Sequence, residues 1–103
     1  MYGVKESDWK LFRKRLPEWQ ERYMGKLLGE YLTMIADHGR SSDKFWRLQK
    51  RLQEDVRKVG VCAEMKRSVM DMNLRSLLCE GAISTDDLDG FSEELRQTLA
   101  TCF

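Results

Sequence analysis

Glycine stands where each long apolar-periodic run stops, at Gly39, Gly60 and Gly81, and a residue of capping type opens the next at Ser42 and Ser84. Proline occurs once, at Pro17. Between these markers the apolar residues recur at three- and four-residue intervals, and no strand-like alternation fills the gaps. The pattern predicts an all-α fold, a small bundle of four or five helices, with residues 1–103 as a single helical domain. Valine and isoleucine are scarce beside leucine, methionine and the aromatics, which disfavours a sheet.

The first helix is expected to start near Ser7, with Asp8 in its first turn and Trp9, Phe12 and Leu16 on one stripe. Pro17 is expected to break or kink it at Leu16 and to begin a second helix, although Trp19 and Tyr23 continue the stripe and leave one long kinked helix open. Met24, Leu27, Leu28, Tyr31, Leu32 and Ile35 form the cleanest apolar series and are expected to face a bundle interior. Phe45, Leu48, Leu52, Val56 and Val59 make the next buried stripe, closed by Gly60, with Trp46 to its side. A helix from about Val61 to Glu80 carries two apolar rows and is expected at the centre of the bundle. Ser84 opens a final helix, with Asp87 completing a capping box, Ile83 and Leu88 a hydrophobic staple, and Leu88, Phe91, Leu95 and Leu99 facing inward. Gly25 and Gly29, four apart, suggest the close approach of a neighbouring helix.

Catalytic material is sparse. His38 is the only histidine and sits beside a helix-ending glycine. Cys62, Cys79 and Cys102 share no CxxC spacing, and one histidine cannot complete a familiar zinc set with them. They read as free thiols of a reducing compartment, each a small buried apolar residue. Asp86, Asp87 and Asp89 lack the ligand grammar of an EF-hand loop. Phosphate-binding glycine loops and nucleophile elbows are missing. The expectation is a protein without enzymatic activity or cofactor. With no signal peptide and no apolar run near the roughly 20 residues of a membrane span, it is expected to be soluble and cytoplasmic.

Charge is the more informative property. The formal net charge is +1, yet residues 1–78 hold 17 Lys/Arg against 11 Asp/Glu, whereas residues 79–103 hold 1 against 6. Lys10, Arg13 and Lys14 lie on the polar side of the first helix; Lys44, Arg47, Lys50 and Arg51 decorate the Ser42 helix, with Trp46 beside them. Like charges at i, i+4 repel, so such rows suit an anionic partner such as nucleic-acid phosphate, with Trp46 as a stacking surface. Asp86, Asp89, Glu93 and Glu94 offer the opposite surface, a short imitation of a phosphate run. Solvation of both faces, or their mutual pairing, is the plainer alternative.

Three stretches carry a resemblance: Tyr2-Gly3-Val4 through Ser7-Asp8-Trp9-Lys10-Leu11-Phe12 to Leu16-Pro17-Glu18-Trp19-Gln20-Glu21; Asp43-Lys44-Phe45-Trp46; and Thr85-Asp86-Asp87-Leu88 to Phe91-Ser92-Glu93-Glu94-Leu95. They resemble a group of small helical proteins of bacterial genomes and mobile elements. In length and character the chain is also similar to the small type II-A anti-CRISPR proteins. That likeness implies inhibition of Cas9 by binding, without catalysis, and assigns no site residue. The acidic segment would occupy the site where Cas9 reads the DNA motif flanking its target, or the basic faces would engage guide RNA or an acidic surface of the effector. Two other functions stay open: a nucleic-acid-binding or regulatory helical module, and a self-associating structural bundle.

Overall fold

Pro17 does not end the first helix. The structure, a computed structural model, describes residues 4–100, and in it α1 runs unbroken over Glu6–Ala36. The chain continues with α2 (Ser41–Asp55), a 3-10 turn (Arg67–Val69), α3 (Met70–Glu80), a second 3-10 turn (Thr85–Leu88) and α4 (Glu93–Ala100). Four α-helices and no strand among the described residues make the fold all-α, as the periodicity predicts. Pro17 removes one backbone donor, a defect of about 3 kcal/mol inside a helix. Leu16 and Trp19 on either side of it are buried in the same core, and their burial holds the helix together.

One apolar cluster organises the molecule. Phe12, Leu16, Trp19 and Tyr23 of α1 meet Met70, Leu74 and Leu77 of α3 and Leu88, Phe91, Leu95 and Leu99 of the C-terminal segment. Trp19 lies edge-on to Phe12 and tilted against Phe91, with ring centroids 6.3 and 6.2 Å apart. The α3 and α4 side of the molecule covers α1 from Asp8, which accepts hydrogen bonds from Ser92, to about Lys26, whose Nζ lies near Gly81. Beyond Lys26, α1 is accompanied by α2, which returns antiparallel to it, and by Val61 of the segment that follows α2. The 31 residues of α1 span about 46 Å and set the long axis of a molecule measuring 51 × 23 × 22 Å.

Several expected boundaries move. α1 begins at Glu6 rather than at a Ser7 cap, and α2 begins at Ser41, after Arg40, with no side-chain cap from Ser42. Gly39 has φ +133° but lies beyond the end of α1, whose cap residue is Asp37. α2 stops at Asp55, five residues before Gly60. Gly60 is there for close packing: a Cβ on it would sit 2.3 Å from Cδ2 of the Tyr23 ring. The turn around it is held from two sides. Glu80 accepts the Val59 and Gly60 amides at 2.9 and 3.0 Å, and Gln20 donates to the Val59 carbonyl.

The expected helix from Val61 to Glu80 is helical only from Met70. Asn73 donates its side-chain amide to the Glu64 carbonyl and fastens the irregular segment before it. Only one of the two apolar rows is buried; Met65 and Met72 of the other are exposed. Gly81 does end α3, in the left-handed conformation at φ +78°. The Ser84–Asp87 capping box forms, but it caps the 3-10 turn. Gly90, at φ +94°, breaks the expected last helix, and α4 starts afresh after Ser92. The Ser92 hydroxyl donates to Asp8 at 2.6 Å and accepts the Leu95 amide, so it caps α4 and ties it to α1.

Candidate interaction surface

The α1–α2 hairpin is joined by polar groups and leaves several of its apolar side chains outside. Asp55 is the one buried residue of α2. Its Oδ2 accepts the Tyr31 hydroxyl at 2.5 Å and Arg51 Nε at 2.8 Å, and Lys58 Nζ lies 3.1 Å from Oδ1. Arg51 reaches on to Glu30 at 2.7 Å and stacks over the Tyr31 ring. Burial alone would raise the Asp55 pKa; the Tyr31 hydroxyl, Lys58 and Arg51 outweigh it and hold the carboxyl below its usual range. Burial, and then the hydrogen bond to Asp55, push the Tyr31 phenol up to about 12. At the far end, Lys44 Nζ donates to the Ile35 carbonyl at 3.0 Å and satisfies the C-terminus of α1.

The stripes expected to be interior are therefore split. Leu27 and Tyr31 are buried, but Leu28, Leu32 and Ile35 are 59, 68 and 50% exposed. Phe45, Leu52 and Val56 of α2 are exposed at 64, 42 and 53%. Leu28, Leu52 and Val56 line a single groove of about 180 Å³ between the helices, with Met24, Leu27 and Tyr31 at its wall. Leu32 and Ile35 extend the α1 side of that groove by helical period, and Phe45 extends the α2 side. Phe45 carries Trp46 edge-on, at 5.1 Å between rings, and Trp46 is exposed too. Gly25 and Gly29, expected beneath a neighbouring helix, have nothing within 4 Å of where a Cβ would be. Cys62 and Cys79, expected to be buried, are exposed; Cys102 lies outside the described residues.

The charged candidates divide into engaged and free. Arg51 and Lys44 belong to the hairpin's own framework, and Arg13 lies over the Trp9 ring. Arg47 and Lys50 on the outer side of α2, and Arg57 just beyond its C-terminus, form no ion pair among the described residues; Lys10 and Lys14 on α1 are likewise unpaired and exposed. Of the acidic set, Glu93 pairs with Arg96 and Glu94 with Lys5, while Asp86 and Asp89 stay exposed. Asp87, half-buried, accepts Arg22 at 2.9 Å, and Arg15 donates to the Asp87 and Asp89 carbonyls. The acidic segment is thus partly neutralised by α1, and the outer side of α2 is not.

Among the described residues no group of three His, Cys, Asp or Glu is placed to hold a metal, and no helix is long and apolar enough to cross a membrane. No protein-family model, curated protein or solved structure matches the chain.

Proposed function

We propose that this chain is a non-catalytic binding protein that works through the α1–α2 hairpin, with its outer basic side directed at an anionic macromolecular partner. The supporting observation is the unpaired pair Arg47 and Lys50 on the outer side of α2, with Arg57 just past its end, in a chain whose other α2 cations are taken up internally. The resemblance to type II-A anti-CRISPR proteins supplies the partner: the Cas9 effector loaded with guide RNA, inhibited by occupation rather than by chemistry.

The test is capture of Cas9, with and without guide RNA, scored beside DNA cleavage. The reading expects guide-dependent capture and loss of cleavage, both abolished by Arg47→Glu with Lys50→Glu. Arg51 is left intact in that variant because it holds Asp55 and Glu30. Absence of both capture and inhibition overturns the Cas9 assignment. Binding to bare RNA without effector, weakening with a log–log salt slope of about −2 for three phosphate contacts, replaces it with the nucleic-acid module.

A further inference from the structure

We propose that the apolar face of the α1–α2 hairpin is the interface of a homodimer, in which a second copy of this chain completes a four-helix bundle. The inference rests on the apolar side of the hairpin and is independent of the partner assigned to its basic side.

A two-helix layer with one apolar face is half of a stable architecture, because a domain buries such a face against another layer. Here Leu28, Leu32, Ile35, Phe45, Leu52 and Val56 have no such layer among the described residues. The amount of uncovered surface agrees. The chain exposes 7015 Å², where a monomer of 12.2 kDa is expected to expose about 6,100 Å². The open hairpin face contributes to this excess of about 900 Å², which is of the order of the roughly 800 Å² that each partner supplies to a standard interface. The radius of gyration is enlarged in the same sense, 16.3 Å against about 13 Å for a chain of this length.

The chemistry of the face selects the occupant. None of its six side chains is charged, so two copies meet without like-charge repulsion, whereas a nucleic acid or a strongly charged peptide finds no counter-charge there. A two-fold pairing is self-complementary by construction: the same projecting leucines and phenylalanine, and the same groove between the helices, are present on both sides. The open positions at Gly25 and Gly29 leave room for the approaching helix.

Sedimentation equilibrium of the full chain between about 1 and 200 μM, under reducing conditions because Cys62 and Cys79 are exposed, decides the matter. The expected mass is about 24 kDa, twice the 12.2 kDa of the chain, and Leu32→Glu with Phe45→Glu returns it to 12.2 kDa with unchanged far-ultraviolet dichroism. A wild-type chain that stays monomeric across the range overturns the proposal, as does a variant that remains dimeric. Should that variant lose helicity, isotope-mixed samples of the unaltered chain give the answer: intermolecular contacts from Leu32, Ile35 and Phe45 support the interface, and contacts confined to other residues overturn it. Arg47→Glu with Lys50→Glu leaves the mass unchanged, so failure of the Cas9 reading and failure of the dimer are read from separate variants.

Discussion

Two glycines of this chain do opposite things, and their substitutions are expected to have opposite signs. Gly60 lies against the buried Tyr23 ring, so Gly60→Ala forces one of them to move and is expected to cost about 1–3 kcal/mol in a urea melt. Gly29 has open space around it inside a helix, so Gly29→Ala is expected to stabilise the isolated chain by about 1 kcal/mol in a urea melt at low protein concentration. Both are glycines beside an apolar run, and only the three-dimensional neighbour separates them. Asp55 is the other decisive residue. Its carboxyl loses its proton at a lower pH in the fold than in the unfolded chain. Between the two values the unfolded state binds more protons, so stability is complete above about pH 4 and is lost as acid carries the chain below it. The Tyr31 phenol acts in the reverse sense: raised from 10.0 to about 12, it contributes stability below pH 10 that disappears as the pH climbs toward 12. Asp55→Asn keeps an acceptor for Tyr31 but leaves Arg51 and Lys58 facing a neutral group. It is expected to cost about 2 kcal/mol at pH 7 and to flatten part of the acid limb of a pH–stability curve. The sequence shows Asp55 only as one of three acids in a basic helix, with Asp43 and Glu54. Its role follows from a tyrosine 24 residues away.

At the scale of elements, burial decided where local signals competed. Pro17 argued for two helices, and the stripe from Phe12 through Trp19 to Tyr23 argued for one; the stripe prevails because its members share a single core. Pro17→Ala restores a donor to α1 and is expected to raise the melting temperature, by up to about 3 kcal/mol in stability. The C-terminal segment went the other way. Gly90 in a left-handed turn and Ser92 as a fresh cap interrupt a stripe that reads as continuous, and Asp8 of α1 rewards the break by accepting both polar groups of Ser92. Ser92→Ala, which removes the cap and the hydroxyl's hydrogen bond to Asp8, is expected to destabilise by about 1–2 kcal/mol in a thermal melt. Helical class, the Gly81 stop and the Ser84 capping box were legible in the sequence because each is a local signal. The ends of α2 and the start of α3 were not, since Glu80, Gln20 and Asn73 set them through contacts remote in sequence. The interaction face was hidden for a related reason. A leucine stripe left open to solvent and one covered by a second layer share the same periodicity.

For the whole molecule, the division of charge proves less sharp than the sequence implies. Lys5, Arg15 and Arg22 of the N-terminal region draw the acidic segment onto α1, and free cations remain on α2. Because α1 is a single rod clamped along its first two-thirds, its protection against solvent is graded. Amide exchange is expected to be slowest between Phe12 and Tyr23 and to quicken from Leu28 to Ala36, where one face lies open. Whatever closes over that open stretch slows exchange there first. The helix therefore doubles as a ruler, on which the footprint of an occupant is recorded residue by residue, whatever the occupant's nature.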